Sequence, residues 1–292
     1  MFTILNKQII APSVKRLDIQ AETIARRVQP GQFVMVIPRE NGEWIPLTVV
    51  EADSRRGTIA LIVSEVGPAP QQLGAIAIKE TIYSILGPLG QPSATSKRFG
   101  VVICAATGIG VAQLLPICRN LSKFGNKVIC VMGAKTRRDL ILEAQMRLAC
   151  YKIHIVTGDS TDKSSGKSEA GMVKQCLEQP PVDLVYAIGG VTMVQPIAEA
   201  TKKKKIPFLV QVNPVMCCGL GFCGSCRVKV HNHTVLACEQ GPEFDGHKLD
   251  FADLKSRLSA YDNDGGALST PKPSALDGRG TLTKFFTDIL KS

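Results

Sequence analysis

The 292-residue sequence has few aromatic side chains and no long apolar run, and each shortage excludes a class of protein. Aromatic residues make up 5% of the chain, which is little material for the stacking platforms of single-strand nucleic-acid binders. No stretch approaches the roughly 18 apolar residues that a membrane-spanning helix needs. The N-terminal segment also lacks the apolar run and cleavage site of a signal peptide. We therefore expect a cytoplasmic protein that binds neither a membrane nor nucleic acid.

Acidic residues are outnumbered by basic ones, and the formal net charge is +10. A positive balance suits nucleic acid, an anionic membrane surface or an acidic protein, so charge alone does not select a partner. The densest basic run, Lys202 to Lys205, follows the apolar helical pattern of Val194 and Ile197. Positive charge stabilises the carboxyl end of a helix, where the helix dipole is negative. We interpret this run as a helix end rather than a nucleic-acid contact.

Glycine and proline turns interrupt the first third of the chain at short intervals, as at Asn41-Gly42 and Gly87-Pro88. The segments between the turns are short and rich in β-forming residues. The clearest of these segments are 32–37, 58–63 and 81–86. Many short strands at such spacing indicate an antiparallel barrel or sandwich. We predict an all-β, antiparallel barrel domain over residues 1–96.

The pattern changes after the polar stretch 93–100. Continuous apolar strands then alternate with helical stretches, which is typical of a parallel sheet buried on both faces. The predicted strands are 101–104, 127–132, 153–156 and 183–188, and the predicted helices lie near 111–124, 137–149, 170–178 and 192–204. We predict a doubly wound, Rossmann-like α/β domain over residues 97–210. The polar segment 157–171 is predicted to be a loop at the carboxyl edge of the sheet, where such folds bind ligands.

Four of the ten cysteines follow the spacing C-x4-C-x2-C-x11-C, and they are Cys218, Cys223, Cys226 and Cys238. Cytosolic thiols stay reduced, so clustered cysteines favour metal binding over disulfides. The intervals between the first three match those that wrap a [2Fe–2S] cluster, whose fourth thiolate comes from later in the chain. Structural zinc prefers two C-x2-4-C knuckles, and only Cys223 and Cys226 form one here. We predict a [2Fe–2S] cluster domain over residues 211–258, with zinc as the alternative.

Three glycines support the iron–sulfur interpretation. Gly219, Gly221 and Gly224 permit positive φ angles and let backbone N–H groups turn toward sulfur. If Cys217 were the first ligand instead of Cys218, the spacing would be C-x5-C-x2-C. We interpret Cys217 instead as a small buried apolar residue. The remaining cysteines share no spacing pattern, and we interpret them as inert core thiols. They are Cys104, Cys118, Cys130, Cys150 and Cys176.

A second motif, Thr107-Gly108-Ile109-Gly110, follows a predicted strand and opens a predicted helix. Small residues at such a turn let a pyrophosphate approach backbone N–H groups at the helix N-terminus. The motif falls short of G-x-G-x-x-G, so a merely tight turn is the alternative. A glycine pair at Gly189-Gly190 makes another strand-to-helix turn, and two such turns on one sheet edge favour a nucleotide. Because an iron–sulfur cluster moves single electrons, we also expect a converter such as a flavin nearby.

The order of these parts resembles the ferredoxin reductase-like flavoprotein family. This family contains the electron-transfer subunit of dihydroorotate dehydrogenase and the small subunits of sulfide dehydrogenase and of NADH-dependent reduced ferredoxin:NADP oxidoreductase. The resemblance covers nearly all of the chain before its tail and is strongest to the last two proteins. The segments that carry it are GEWIPLTVVEADSRRGTIALIVSEVG, LGPLGQPS, LILEAQM, NPVMCCGLGFCGSCRV and GPEFDGHKLDF.

The resemblance implies FAD between the first two domains and NAD(H) or NADP(H) against the second. The residues that would border the flavin, or lie near its ring or phosphates, are Pro46, Leu47, Thr48, Ser64, Glu65, Gly67, Glu243 and Phe244. The residues that would meet the nicotinamide nucleotide are Thr107, Gly108, Ile109, Gly110, Gly133, Ala134 and Gly189.

The sequence departs from the family at three places. Relatives usually carry an arginine three residues before the position of Leu47, whereas this chain has Trp44. The candidates to replace that arginine at the FAD pyrophosphate are Arg39, Arg55 and Arg56. The loop 157–171 and the tail 259–292 also differ. We predict that the tail is a flexible tether ending in a helix near 281–290.

Taken together, the residues and the resemblance imply an NAD(P)H-dependent oxidoreductase subunit. No catalytic triad, H-E-x-x-H motif or carboxylate pair is present, and the cofactors would carry the chemistry. The expected partner is a larger flavin and iron–sulfur subunit, with ferredoxin as a further partner, in an electron-bifurcating NADH/NADP/ferredoxin transhydrogenase. The alternatives are an electron-transfer subunit of dihydroorotate dehydrogenase or of a sulfide or polysulfide reductase, and a zinc-stabilised binding module.

Overall fold

A computed structural model describes residues 2–159, 168–179 and 181–262. The predicted helix near 281–290, most of the predicted tether and the central part of the loop 157–171 lie outside the described residues. Within the described part of the chain, no helix is both long and apolar enough to span a membrane.

The first part of the chain forms seven strands and two short helices. The strands are β1 (Phe2–Ala11), β2 (Val14–Gln20), β3 (Phe33–Ile37), β4 (Ile45–Asp53), β5 (Thr58–Ser64), β6 (Thr81–Ile82) and β7 (Ser84–Leu89), and the helices are α1 (Glu22–Arg27) and α2 (Pro68–Ala75). All pairings in this sheet are antiparallel, in the order β6-β1-β2-β5-β4-β3-β7. The predicted antiparallel barrel is confirmed.

The predicted strand 81–86 is divided in two, and this division brings the two edges of the barrel sheet together. Residues 81–86 were expected to form a single strand, but Tyr83 separates β6 from β7, and its N–H donates to the Pro38 carbonyl. β6 pairs with β1 at one edge of the sheet, whereas β7 pairs with β3 at the other edge. Because consecutive residues lie on opposite edges, the sheet curls until its edges meet.

The prediction that the first domain is all-β is wrong in detail, because α1 and α2 interrupt it. Each helix is shorter than nine residues and presents apolar side chains to the barrel interior, including Ile24 from α1 and Leu73 from α2. Such helices are stabilised by packing rather than by their own propensity, so the local sequence gives little sign of them.

The second part of the chain is a parallel sheet with helices on both faces. Its strands are β8 (Val101–Thr107), β9 (Lys127–Ala134), β10 (Lys152–Thr157), β11 (Leu184–Ile188) and β12 (Phe208–Gln211), and its helices are α3 (Gly110–Lys123), α4 (Glu143–Ala149), α5 (Glu169–Cys176) and α6 (Val191–Lys203). The strand order is β10-β9-β8-β11-β12, so the order reverses beside β8. Ligands bind at such a reversal in open α/β sheets. The Rossmann-like prediction is confirmed.

The predicted helix 137–149 is divided in two. A single 3-10 turn covers Arg137–Asp139, and α4 begins only at Glu143. Between them Leu142 adopts a φ of 57°, which an uninterrupted right-handed helix does not allow. The side chains of Ile141 and Leu142 are buried, so packing against the sheet pulls the chain out of the helix here.

The third part of the chain is small and packs on the second. It contains β13 (Arg227–Val230), β14 (His233–Leu236), α7 (Ala237–Gln240), β15 (Glu243–Asp245) and α8 (Phe251–Asp262). β15 joins the edge of the parallel sheet as an antiparallel partner of β12. One apolar core runs from Met35 of the barrel through Phe208 of the sheet to Val228 of the third part. The fold class is therefore the expected sequence of barrel, α/β domain and cluster domain, joined by a shared core.

Candidate functional site

Three of the four cysteines with cluster spacing lie in one loop, and the fourth lies in helix α7, which follows the β13–β14 hairpin. Cys218, Cys226 and Cys238 are buried, whereas Cys223 is exposed beside Phe222. Cys238 comes from α7, and the Ala237 N–H donates to the Cys226 carbonyl, which brings the last ligand to the others. The structure therefore brings the cysteine of α7 to the loop that carries the other three.

The four sulfurs form two pairs. The Cys223 thiol interacts with the Cys218 thiol, and the Cys238 thiol interacts with the Cys226 thiol. Among the described residues, only one group of three metal-ligating side chains has its ligand atoms within 4.8 Å of one another, and it contains none of these four cysteines. No three of the four sulfurs therefore lie that close together. Four sulfurs around one zinc at about 2.3 Å would all lie closer together than that. Two pairs fit two irons better than a single zinc ion.

Backbone N–H groups point at the same sulfurs. Leu220 donates to Cys218 Sγ at 3.4 Å, Gly221 donates to Cys238 Sγ at 3.2 Å, and the Cys223 N–H also reaches Cys218 Sγ. Gly219, Gly221 and Gly224 all have positive φ angles, which aim these amides inward. Hydrogen bonds of this kind stabilise thiolates and cluster sulfur. The donor set and the loop therefore fit an iron–sulfur cluster.

The thiols differ in how readily they ionise. Although burial opposes ionisation, hydrogen bonds from Ser225 and Cys218 lower the pKa of Cys223 to about 7. Burial, followed by the hydrogen bond with Cys226, raises the pKa of Cys238 to about 12. A metal must displace a proton from each thiol that it binds, so the exposed Cys223 gives up its proton to iron more readily than Cys238 does.

Cys217 stands apart from the four. It is half-buried rather than buried as predicted, and burial raises the pKa of its thiol. Its N–H donates to Ser225 Oγ at 3.2 Å. Its backbone therefore supports the loop that carries Cys218, Cys223 and Cys226, which we call the cluster loop.

The cluster loop packs directly on the barrel. A methyl group added to Gly219 would lie 2.5 Å from Met35 Cγ on β3, so only glycine fits this contact. Met35 pairs with Pro46 on β4, the strand on which the resemblance places the edge of the flavin. Neighbouring strands are about 4.8 Å apart. The cluster loop and the predicted flavin strand are therefore separated by one strand.

The predicted flavin residues of β4 and β5 point in different directions. Pro46 is exposed, Leu47 is half-buried and Thr48 is buried, while Ser64 lies at the end of β5. Gly67 caps the start of α2 with a φ of 90°, and no atom of the described residues lies within 4 Å of where its side chain would be. The contact of Gly67 with FAD stays a prediction.

Glu65 is already engaged within the barrel. Its carboxylate accepts a 2.7 Å hydrogen bond from Lys15 and lies against Gly74 of α2. The first turn of α2 contains Pro68 and Pro70, which carry no N–H, so this helix end offers few donors to a phosphate.

A buried amide lies where the barrel meets the α/β sheet. Gln211, the last residue of β12, donates to the Gly31 carbonyl at 3.3 Å through its side chain. Its Oε1 atom is buried and has no hydrogen-bond partner among the residues that the structure describes. An unsatisfied buried acceptor is costly. This junction therefore fits a bound group that supplies a donor, as FAD between the two domains would.

The arginines proposed to replace the family arginine are separated by the fold. Arg39 follows β3 and pairs with Glu80, on the same end of the barrel as Trp44. Arg55 and Arg56 lie beyond the opposite end of β4. Trp44 itself packs on the shared core. Of the three arginines, only Arg39 lies near the position that Trp44 occupies.

The predicted nucleotide residues meet at the carboxyl edge of the parallel sheet. Gly108 has a φ of 55°, no atom of the described residues lies within 4 Å of where its side chain would be, and its N–H donates to the Gly133 carbonyl at 2.8 Å. Gly110 begins α3, and a methyl group there would lie 3.0 Å from the Ile188 carbonyl. No side chain of the described residues caps α3, and its Val111 and Ala112 N–H groups donate to the carbonyls of Gly108 and Ile109. A methyl group added to Gly189 would lie 3.3 Å from Thr107 Cγ2, so the two glycine turns adjoin. The arrangement fits a pyrophosphate.

The structure adds an acidic side chain that the sequence pattern did not reveal. The Glu169 carboxylate, from the start of α5, lies directly over Gly133 at the end of β9, next to Ala134. In nucleotide-binding α/β folds a carboxylate near this edge binds the ribose hydroxyls of NAD. This carboxylate comes from a helix later in the chain rather than from the end of the strand that it faces.

Glu243 and Phe244 lie on β15, beside β12. The Glu243 carboxylate accepts hydrogen bonds from Tyr186 Oη at 2.8 Å, from the Ala94 N–H at 3.1 Å and from Ser93 Oγ. These donors belong to the α/β sheet and to the segment that leads out of the barrel. Burial, together with the Glu243 charge, raises the pKa of Tyr186 well above its ordinary value. Glu243 therefore ties the three parts of the chain together, and its contact with FAD stays a prediction.

Three of the cysteines interpreted as inert core thiols lie together. The Sγ atoms of Cys118, Cys130 and Cys150 are within 4.8 Å of one another, and the Cys104 thiol interacts with the Cys118 thiol. Burial, followed by the hydrogen bonds of the neighbouring thiols, raises the pKa of Cys118 well above the ordinary value. These residues come from α3, β9 and the end of α4, so no sequence spacing could reveal the group.

Comparison with known proteins matches this architecture. The family described as the iron–sulfur cluster binding domain of dihydroorotate dehydrogenase B matches residues 213–250, which contain all four predicted ligands. The chain is 33% identical over 258 residues to the dihydroorotate dehydrogenase B (NAD(+)) electron transfer subunit homolog of Thermotoga maritima. That alignment covers 88% of this chain and 90% of the relative.

Solved structures show the same fold. A chain from the structure of NADH-dependent reduced ferredoxin-NADP oxidoreductase, described for flavin-based electron bifurcation, superposes with a TM-score of 0.82 at 30% identity, covering 90% of this chain and 94% of that one. A ferredoxin NADP+ reductase from Neisseria gonorrhoeae, solved with FAD and NADP, has a TM-score of 0.56 at 17% identity over 69% of this chain and 89% of its own. This chain therefore belongs to the family of dihydroorotate dehydrogenase B electron-transfer subunits and their homologues.

Proposed function

We propose that this chain is an electron-transfer flavoprotein subunit that passes electrons between NAD(P)H, FAD and a [2Fe–2S] cluster and delivers them to a larger partner. The observation that carries the proposal is the group Cys218, Cys223, Cys226 and Cys238, whose first three members lie in a loop that packs on the barrel at Met35 and points backbone N–H groups at the sulfurs. When bound, FAD would exchange hydride with the nicotinamide nucleotide and single electrons with the cluster.

The residues of the chain bind and orient these groups. The turn at Gly108 and the N-terminus of α3 would hold the pyrophosphate of the nucleotide. Gln211 and the strand that carries Pro46 would face the flavin from the two domains that enclose it. The barrel contact at Gly219 fixes the cluster loop close to that strand. Orientation of cofactors is the work that the protein performs in such a reaction.

The exposed edge of the cluster loop is the proposed exit for electrons. Cys223 is exposed and Phe222 is 74% exposed, whereas the other three ligands are buried. An exposed aromatic side chain beside a redox centre is typical of a surface that meets another protein. We place the partner subunit on this surface.

We propose NADH as the nucleotide substrate. The Glu169 carboxylate at Gly133 would accept hydrogen bonds from the ribose hydroxyls and would repel the 2′-phosphate of NADPH. Arg137, a basic residue near this edge, pairs with Glu143 at 2.8 Å, which offsets its charge.

The proposed assembly is an electron-bifurcating NADH/NADP/ferredoxin transhydrogenase. The 30% identity over nearly the whole chain of the oxidoreductase subunit supports this choice. The second candidate is the electron-transfer subunit of a dihydroorotate dehydrogenase, which the 33% identical homolog and the cluster-domain match support.

The test starts from the native complex, purified without oxygen. A visible spectrum with flavin and iron–sulfur absorption supports the electron-transfer proposal, whereas a colourless protein with one zinc supports the binding-module alternative. NADH-dependent reduction of NADP is then assayed with and without reduced ferredoxin. This reaction is the reverse of bifurcation, so the bifurcation proposal predicts NADP reduction only when reduced ferredoxin also supplies electrons, and NADP reduction that never depends on ferredoxin contradicts this proposal. Orotate formed from dihydroorotate would identify the second candidate.

A further inference from the structure

The group Cys118, Cys130 and Cys150 is remote in sequence from the cluster loop and lies in a different core. It belongs to the apolar core between the parallel sheet and the helices α3 and α4. The side chains around it are apolar, such as Leu121, Val128 and Met146. The group is therefore independent of the cluster, FAD and nucleotide sites.

Two hydrogen bonds hold Cys150 in place. Ser122 Oγ, on α3, donates to the Ala149 carbonyl just before Cys150. The Tyr151 N–H just after it donates to the Val128 carbonyl of β9 at 2.8 Å. The backbone on both sides of Cys150 is thus tied to the two elements that carry the other thiols. Ligands fixed in this way are preorganised for a metal.

The spacing of the sulfurs suits a central ion. Three sulfurs at about 2.3 Å from an ion in their plane lie roughly 4.0 Å apart. The observed separations are within 4.8 Å, so each thiol would move inward by no more than about 0.5 Å to reach this geometry. Side-chain rotation alone can provide a movement of that size.

The donor set selects the class of ion. Sulfur ligands favour soft cations such as Cu(I), whereas carboxylates favour Mg²⁺ or Ca²⁺. Zinc is also thiophilic, but structural zinc is almost always four-coordinate. Cys104 interacts with Cys118 but is not one of the sulfurs that all lie within 4.8 Å of one another. Among the described residues, this group therefore offers three sulfur ligands and no fourth. We propose that Cys118, Cys130 and Cys150 form a three-sulfur site for one Cu(I) ion.

Cys150 provides the entrance to the site. Cys118 and Cys130 are fully buried, whereas Cys150 is half-buried at the end of α4. An ion arriving from solvent would meet this sulfur first, and each thiol that ligates would release its proton.

The test uses the full chain with its iron–sulfur cluster, titrated anaerobically with Cu(I) against a chromogenic Cu(I) chelator. We expect one Cu(I) per chain with no loss of iron. Cys150→Ala should weaken Cu(I) binding by more than about 10-fold, because removing even a residue that only supports a ligand costs 10-fold or more. Cys176→Ala is the matched control, because Cys176 is another half-buried cysteine of the same domain outside the group, and it should bind like the unmodified chain.

X-ray absorption at the copper edge, measured on the unmodified protein, keeps the test independent of how the variants fold. A first shell of three sulfurs supports the proposal. The proposal is overturned if Cu(I) uptake is the same in Cys150→Ala, if uptake is matched by loss of iron, or if the shell does not contain three sulfurs. A mass that shows a disulfide among these cysteines, with no bound copper, would overturn it as well.

Discussion

The Tyr186 hydroxyl donates a 2.8 Å hydrogen bond to the Glu243 carboxylate. This contact joins β11, at the centre of the α/β sheet, to β15, the strand that follows the last cluster ligand. The same carboxylate accepts from the Ala94 N–H, in the segment that leaves the barrel. The position of the cluster domain is thus set by a buried polar junction as well as by apolar packing.

Replacing Tyr186 with phenylalanine removes one donor to a charged, partly buried carboxylate. We expect Tyr186→Phe to lower the free energy of unfolding by about 1.5–3 kcal/mol, the range for hydrogen bonds to charged groups. Urea denaturation measures this change. Tyr83→Phe is the matched control, because Tyr83 is 49% exposed and its variant should unfold like the unmodified chain. Equal stability of Tyr186→Phe and Tyr83→Phe would contradict the junction.

The contact between the cluster loop and the barrel predicts a steric effect at Gly219. Gly219→Ala places a methyl group 2.5 Å from Met35 Cγ and also strains a φ of 70°. Gly125→Ala, at a φ of 76° with nothing within 4 Å, has the strain without the contact. We expect both variants to lose about 1–2 kcal/mol of stability from the backbone strain, but only Gly219→Ala to lose iron as well. Iron analysis after anaerobic purification distinguishes the two, and full iron in Gly219→Ala contradicts the contact.

The position of Glu169 predicts nucleotide preference. Glu169→Gln removes the charge that would repel a 2′-phosphate, so we expect kcat/KM for NADPH to rise relative to that for NADH by about 10-fold. The measurement is steady-state reduction of an artificial acceptor by each nucleotide. Glu178→Gln, an exposed acidic residue beyond the other end of α5, is the control. An unchanged ratio in Glu169→Gln would show that Glu169 does not meet the ribose.

An ion pair between domains predicts a pH dependence. The Glu51 carboxylate on β4 accepts hydrogen bonds from Arg16 and from Arg119 of α3. Although burial opposes ionisation, these hydrogen bonds hold the pKa of Glu51 below its ordinary 4.5. Because the folded pKa is the lower one, the pair stabilises the fold above about pH 4.5, and this contribution is lost as the pH falls through the lowered pKa.

We therefore expect Glu51→Gln to lose about 1 kcal/mol of stability at neutral pH and to approach the unmodified chain in acid. Thermal unfolding as a function of pH measures the difference. Glu22→Gln, which breaks the exposed pair with Arg26, should change little at any pH. A difference between Glu51→Gln and the unmodified chain that is the same at every pH would contradict the role of this charge.

The sequence was most informative where function depends on neighbours in the chain. Cys218, Cys223 and Cys226 lie within nine positions, so their spacing alone indicated a cluster. The turn at Gly108 was also visible, because a strand, a glycine and a helix follow one another there. The continuous apolar strands predicted the parallel sheet for the same local reason.

Features that depend on topology were not visible. The barrel closes at Tyr83 because its neighbours pair with opposite edges of the sheet, which no local pattern encodes. Glu169 reaches Gly133 from a helix that starts 36 positions later in the chain. The sulfurs of Cys118, Cys130 and Cys150 meet only after α3 and α4 have packed on the sheet. These relationships are made by long-range packing, so they required the structure.

The central claim is that Cys218, Cys223, Cys226 and Cys238 hold a two-iron cluster. Its most direct test is iron and acid-labile sulfide analysis of the anaerobically purified chain beside the variants Cys223→Ala and Cys217→Ala. The account predicts about two irons and two sulfides per chain in the unmodified protein and in Cys217→Ala, and loss of both in Cys223→Ala. One zinc and no iron in the unmodified protein, or full iron in Cys223→Ala, would contradict it.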